Sequence, residues 1–381
     1  MPNIPMLTAA GLSIVAATYG LARYCFGLFL PEIRDAFNLS SQTIGLIAGS
    51  SYVGYLTAIF LSAWLSALFG PRLPVILGGT AATVGMLLIA LAQTPFILVL
   101  GVFVAGMSPG LAYPPFSDVI VRHIEVKKQN TVYAWINSGT GFGVALAGPL
   151  ALYAGADWRI AWFAFAALAL VVTVWNGLVI PVSKPAAGKQ KTTPLGYFFT
   201  LKNPAATGLF ITALLFGVVT AIYWTYAVDL LRHLSSDSKA GIIFWVTLGV
   251  SGIFGCFAGE IVNALGLKLA YQTLVLIVAL AIGTLPLIAD TVLGIYLSAA
   301  FFGVGFIAAT AIFGIWSMQL YHDHPSIGFG ATFFLISLGQ GIGPIMGGFL
   351  SPIVGQSMLF NIVGIVCAGL ICCFPSHRKP V

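Results

Sequence analysis

Apolar runs long enough to cross a lipid bilayer recur along the whole chain, and they constrain its fold more than any other feature. Hydropathy marks twelve, near residues 6–30, 42–68, 73–92, 95–121, 130–152, 158–181, 205–231, 239–262, 268–288, 291–321, 326–352 and 355–374. A hydrocarbon core about 30 Å thick is spanned by roughly 20 helical residues. No water inside it satisfies backbone N–H and C=O groups, so each run must close its own hydrogen bonds as a helix. Only 7% of the 381 residues are Asp, Glu, Lys or Arg, against about 25% in soluble domains. That supply cannot cover a water-facing surface. The expected fold is an all-α integral membrane protein of twelve transmembrane helices.

Charge orients the spans. The first run has no basic region before it and is too long for a signal peptide's apolar segment, so it reads as a retained span. An even number of spans puts both termini on one side. If that side is cytoplasmic, its loops hold eleven basic residues, including Arg72, Arg122 and Lys268, while the outer loops hold Arg34, Arg159, Arg232 and Lys239. The asymmetry follows the positive-inside rule, so both ends are expected in the cytoplasm. The net charge of +6 then reflects loops beside acidic lipid rather than a nucleic-acid partner.

A polar stretch rich in Pro, Lys and Thr, "PVSKPAAGKQKTTPLGYFFTLKNP" (181–204), divides the runs into six and six. Features recur across it in order: "NSGTGFG" (137–143) against "SLGQGIG" (337–343), and "FNLSSQTIG" (37–45) against "HLSSDSKAG" (233–241). Repeated six-span halves mark a transporter architecture. The expected organisation is an N-terminal bundle over 1–181, a cytoplasmic linker over 182–204 and a C-terminal bundle over 205–381.

Several chemistries find no support. The five cysteines all fall in apolar runs and read as small buried hydrophobes, with neither a disulfide framework nor a metal site. The histidines lie at span edges or in loops, and no phosphate-cradling loop is present, so direct ATP coupling has no basis. No catalytic constellation, metal site or cofactor is expected. The chain reads as a non-enzyme, a monomer in lipid with a small-molecule partner.

One charge breaks the apolar pattern. Arg23 stands alone in the run from Met6 to Leu30, nine residues before Glu32, or about 13 Å along a helix. That is close to the bilayer midplane, where insertion costs about 2.5–3.5 kcal/mol. Such a residue faces a wet cavity or a partner. Three readings stay open: binding of an anionic substrate, an internal pair with Asp229 or backbone carbonyls, and gating. Tyr19, Arg23, Phe26 and Leu30 are spaced to share one face of a helix, which suits a small carboxylate with an apolar tail.

Other candidates follow from their spans. "AIYWTYAVDLLR" (221–232) places Tyr223 near the depth of Arg23 and Asp229 nearer the outer rim, beside Trp224 and Tyr226, which suit an interfacial belt. "YPPFSD" (113–118) and "FGIWS" (313–317) lie at matching positions of the two halves and bring Tyr113 and Trp316. The Pro114–Pro115 pair frees carbonyls and bends its helix. Asp118, four residues before Arg122, fits an ion pair at the cytoplasmic end. Asn137 and Gln340 are uncharged polar groups among glycines and must face protein or cavity.

The chain resembles the major facilitator superfamily over essentially its full length, within its YbfB-type bacterial branch, on "GLARYCFGLFLPEIRDAFNLS", "SYVGY", "YAWINSGTGFGVALAGPLAL" and "DWRIAWF". The resemblance implies two six-helix bundles around a central cavity that alternates between inward-open and outward-open states in the bacterial inner membrane. Spans 1, 4, 7 and 10 would line the cavity. Where the family's loop between spans 2 and 3 carries an Asp, "AWLSALFGPR" (63–72) has Ala67, keeping Gly70 and Arg72. The matching "GEIVNALGLK" (259–268) keeps Lys268 but offers Asn263. The family's charge latch is therefore weakened, with Arg72 and Lys268 as its remnants.

The functional expectation is a secondary transporter of a small organic anion, with a proton or an exchanged anion as possible second substrate. Arg23, Tyr19, Phe26, Tyr113, Asn137, Tyr223, Trp316 and Gln340 form the expected binding set. Asp229, Asp118, Arg72 and Lys268 form the gating and coupling set. The alternatives are an exporter of neutral or cationic amphiphiles, with Arg23 as a gate, and a non-transporting membrane receptor.

Overall fold

The computed structural model describes residues 4–155, 157–182, 206–235, 237, 239–321 and 325–374. The expected linker lies outside these residues beyond Val182, as do His322, His324 and His377. Every regular element among the described residues is helical.

The first span, α1, is not one uniform helix. It runs as an α-helix over Ile4–Val15, widens to a π-helix over Ala16–Tyr24, passes through a turn over 25–29, and resumes as an α-helix over Leu30–Phe37. The helices α2 (Ser41–Phe69), α3 (Arg72–Leu91), α4 (Pro95–His123), α5 (Val126–Ala154) and α6 (Trp158–Val179) complete the first half. The second half begins with α7 (Thr207–Leu234). Next comes α8 (240–265), whose α-helix Ala240–Ile253 passes through a 3-10 turn at Phe254–Phe257 and ends at Gly266. Then follow α9 (267–288), α10 (Val292–Leu320), α11 (Pro325–Val354) and α12 (Gln356–Gly369). Nine described stretches are long and apolar enough to span a membrane, and one of them, Ala240–Ile288, contains both α8 and α9. The more polar α5 and the short α12 bring the helices to twelve.

Helix ends follow local chemistry. The Ser40 hydroxyl accepts the Thr43 N–H at 3.2 Å to start α2, and Thr94 with Pro95 opens α4. Such caps satisfy amide groups that a first turn otherwise leaves without partners. Gly266, at φ 76°, turns the chain from α8 into α9, in the left-handed region that side chains disfavour.

Glycines set how closely the helices approach. In lipid there is no hydrophobic drive between helices, so contact relies on small residues that let backbones meet. Gly20 of α1 lies on Gly143 of α5, and Gly106 of α4 lies on the Ser51 backbone of α2. Two seams join the halves. Along α2 and α11, Gly45 meets the Pro344 carbonyl and Gly348 meets the Ser41 carbonyl; along α5 and α8, Gly249 meets Ala145. The largest apolar core draws on both halves, while a second core, from Leu7 to Ile180, belongs to the first half alone.

Within α11, Gly339 and Gly330 provide a test. A Cβ at Gly339 would be driven into the Leu214 carbonyl oxygen of α7, whereas one at Gly330 meets nothing within 4 Å. Gly339→Ala is therefore expected to destabilise the protein by about 1–3 kcal/mol. Gly330→Ala is expected to leave stability unchanged or raised, through the better helix propensity of alanine. Thermal unfolding in detergent distinguishes the two.

Candidate functional site

The interrupted path of α1 puts Arg23 in the middle of the protein. A π-turn admits one more residue than an α-turn and commonly occurs at functional positions. Within it the Thr18 hydroxyl donates to the Ile14 carbonyl at 2.7 Å and the Cys25 thiol donates to the Gly20 carbonyl at 3.1 Å. Arg23 is 5% exposed. Its guanidinium carbon lies 4.1 Å from the Tyr55 ring centre, 4.6 Å from Tyr52, 5.5 Å from Tyr19 and 5.6 Å from Tyr24. One Nη donates to the Gln340 side-chain oxygen of α11 at 3.0 Å.

Among the described residues, Arg23 has no carboxylate partner. Each ring contributes about 0.5–1 kcal/mol even at exposed sites. Four rings therefore offset much of the roughly 2.5–3.5 kcal/mol cost of placing the charge at mid-depth. The guanidinium thus keeps its charge with no internal counterion among the described residues.

Beside it lies a small cavity with room for about one water molecule, whose walls include Arg23, Tyr24, Phe26, Ser51, Tyr52 and Trp224. Trp224 of α7 stacks on Tyr24 with ring centres 4.3 Å apart. The first and second halves thus meet at the arginine through an amide and through a pair of rings.

The remaining sequence candidates divide by location. Tyr19 joins the cluster: its hydroxyl lies 3.1 Å from that of Tyr55 and its ring packs edge-on against Tyr113 at 5.9 Å. Phe26 lines the cavity, and Gln340 holds Arg23 directly. Asn137 is half-buried on α5. Tyr223 turns into the second half, stacking on Phe302 at 3.9 Å with its hydroxyl 2.6 Å from that of Ser298. Trp316 also packs there, against Tyr271 at 5.4 Å. The α-helical spacing that grouped Tyr19, Arg23, Phe26 and Leu30 does not survive the π-segment and turn, and Leu30 is core.

Charged candidates sit at the two faces. Asp229 is 1% exposed and pairs with Arg34 at 2.9 Å rather than with Arg23, while the Gln356 side-chain amide donates to it at 2.9 Å. Close by, Arg232 pairs with Asp35 at 2.6 Å. Both ion pairs link α1 to α7 on the face opposite the termini, so that face is closed. Arg72 donates to the Gly177 carbonyl, tying α3 to α6, and the Lys268 ammonium lies 3.7 Å from the Phe374 ring centre. Asp118 is half-buried near the end of α4. No group of His, Cys, Asp or Glu suited to a metal ion occurs among the described residues.

Tyr24, Tyr52, Tyr55, Ser51, Arg34 and Gln356 were not among the sequence candidates. Tyr52 and Tyr55 stand one helical turn apart in an apolar span at the depth of Arg23, and that spacing was the available signal. The pairing of Arg34 with Asp229 carries no sequence signal, because it depends on how two halves dock.

Removal of one partner should expose the value of that pair. Arg34→Ala leaves the Asp229 carboxylate buried with a neutral amide, which is expected to cost about 3–5 kcal/mol. The Arg34→Ala/Asp229→Ala double variant is expected to recover part of that loss. A thermal-unfolding double-mutant cycle measures the coupling.

Comparison with known proteins agrees with this architecture. The sequence model of the Major Facilitator Superfamily matches residues 12–344. Multidrug resistance protein MdtL of Shigella flexneri serotype 5b (strain 8401) is 24% identical over 358 residues, 92% of this chain and 88% of that one. The hexuronate transporter of Bacillus subtilis (strain 168) is 24% identical over 382 residues, with the same shares. Human monocarboxylate transporter 11 is 26% identical over 182 residues, 47% of this chain; the match spans only 38% of that relative's length. In three dimensions, a POT family transporter solved with 5-aminolevulinic acid superposes with a TM-score of 0.79 at 14% identity, over 97% of this chain and 94% of that one.

Proposed function

The chain belongs to the major facilitator superfamily, and from that premise we propose that it is a secondary transporter of a small organic anion, a carboxylate above all, working by rocker-switch alternating access. The superfamily and the relatives named above are transporters rather than enzymes. The choice of anion rests on one observation: Arg23 is buried at mid-depth without a carboxylate partner among the described residues, cradled by four tyrosine rings.

The proposed cycle begins with the Arg23–Gln340 hydrogen bond, which joins the halves in the absence of substrate. A carboxylate is a stronger acceptor than an amide oxygen, because charge-assisted hydrogen bonds are about twice as strong as neutral ones. Substrate therefore displaces Gln340 from the guanidinium and removes one contact between α1 and α11. The Arg34–Asp229 and Asp35–Arg232 pairs are the contacts that must part when the opposite face opens. With both termini in the cytoplasm, as the loop charges favour, that closed face is the external one. Residues 1–181 and 205–381 are the two bundles that move, with 182–204 between them. The driving force is the substrate gradient, a proton or an exchanged anion.

A second reading draws on the aromatic walls and on the likeness to MdtL: export of neutral or cationic amphiphiles, with Arg23 and Gln340 as a gate. Uptake of labelled carboxylates into proteoliposomes separates the readings. The anion reading expects Arg23→Gln to lower carboxylate uptake at least tenfold. Undiminished carboxylate uptake by Arg23→Gln, or transport restricted to amines and neutral compounds, favours the gate.

A further inference from the structure

We infer that the cavity beside Arg23 is a subsite for one singly charged carboxylate with a short apolar tail, held by donors from both halves: Arg23 Nε, Ser51 Oγ and Trp224 Nε1. The inference rests on the anion reading above and names its substrate class.

All three atoms are buried and have no hydrogen-bond partner among the described residues. Their residues are 5%, 4% and 3% exposed, and all three line the same cavity. Buried polar groups are nearly always paired, since each unpaired one costs about 1–3 kcal/mol. The three residues line one cavity, and an acceptor bound there is placed to satisfy them. The two helices that bear them on the first-half side are held firmly. Gly20 seats α1 on α5, and Gly106 lets α4 approach the Ser51 backbone of α2. Trp224 is fixed between Tyr24, at 4.3 Å, and Trp245, at 5.6 Å.

The chemistry of the donors selects the ligand. A guanidinium N–H and an indole N–H donate only, and a serine hydroxyl can donate too. A ligand that satisfies all three must bring lone pairs, and a carboxylate supplies about four acceptor sites. An ammonium would set donors against donors beside a fixed positive charge. The number of charges follows from the walls. Arg23 is the one charged residue among those lining the cavity, so it neutralises a single carboxylate, and a second would be buried without a counterion. Phe26 and Val102 leave an apolar remainder for the tail. In this state the cavity has room for little more than one water molecule, so a carboxylate and a short tail enter only as the walls part.

The test uses the purified full-length protein, with binding read by thermal unfolding and by tryptophan fluorescence at matched ionic strength. The probes are acetate, propionate and butyrate as monoanions, malonate and succinate as dianions, and butylamine. The monoanions are expected to bind, with the dianions at least tenfold weaker and the amine silent. Ser51→Ala and Trp224→Phe, which keep the packing, are each expected to weaken propionate about tenfold, the scale of a lost hydrogen bond to a charged group. Arg23→Gln is expected to abolish binding; should it fail to fold, Arg23→Lys, which keeps the charge but loses Nε, takes its place with a loss of at least tenfold. Propionate affinity within twofold of wild type in both Ser51→Ala and Trp224→Phe overturns the subsite. Equal binding of dianions overturns the single-charge class. If Arg23→Gln still abolishes binding in those two cases, the anion reading stands. Absence of carboxylate binding altogether, or binding indifferent to Arg23, overturns both.

Discussion

A guanidinium held in the centre of a lipid-embedded bundle by the faces of tyrosines, rather than by a carboxylate, organises much of what surrounds it. Aromatic faces attract a cation without cancelling its charge, and they do so without bringing a titratable acid into the membrane. The arrangement draws on three helices. The π-segment of α1 sets the arginine's direction, α2 supplies Tyr52 and Tyr55 from one face, and α11 reaches across from the other half with Gln340. A change in any of these alters how firmly the halves are joined.

Closure at the face opposite the termini uses two kinds of contact. The glycine seams of α2 with α11 and α5 with α8 bring backbone to backbone. They immobilise almost no side-chain freedom, so parting them releases little entropy. The ion pairs between α1 and α7 differ from one another in environment. Arg34–Asp229 is buried on its acidic side and keeps an amide partner, whereas Asp35–Arg232 is exposed. Exposed pairs are typically worth 0–1 kcal/mol, whereas separating the buried pair would leave an uncompensated charge on Asp229 unless water reaches it.

Much of the fold was legible in the sequence because the bilayer imposes a single periodic requirement on every span. The twelve apolar runs and the Gly-x-Gly-x-Gly pair at 137–143 and 337–343 reflect that requirement directly. Arg23 and Gln340 were legible for the same reason, as polar groups where lipid tolerates none unpaired. The failures share a cause. Tyr223, Trp224 and Tyr226 follow one another on α7, and depth alone does not tell which way each ring points: Tyr223 faces the second-half core, Trp224 the cavity and Tyr226 the Pro344 carbonyl. The break in α1 escaped because single glycines are frequent in unbroken membrane helices. Its geometry comes from Gly20 pressed on Gly143 and Gly27 on the Trp224 carbonyl, contacts that exist only after the helices assemble.

The uncompensated charge of Arg23 also has an electrical meaning. A positive charge fixed at mid-depth lies within the field that a membrane potential creates, and carrying one elementary charge through 100 mV is worth about 2.3 kcal/mol. An empty site that reorients with Arg23 feels that field. A site that holds one monoanion on the arginine is neutral and does not. In the proposed cycle membrane voltage acts on the return of the empty carrier, and a carrier loaded with one monoanion alone crosses as an electrically silent unit.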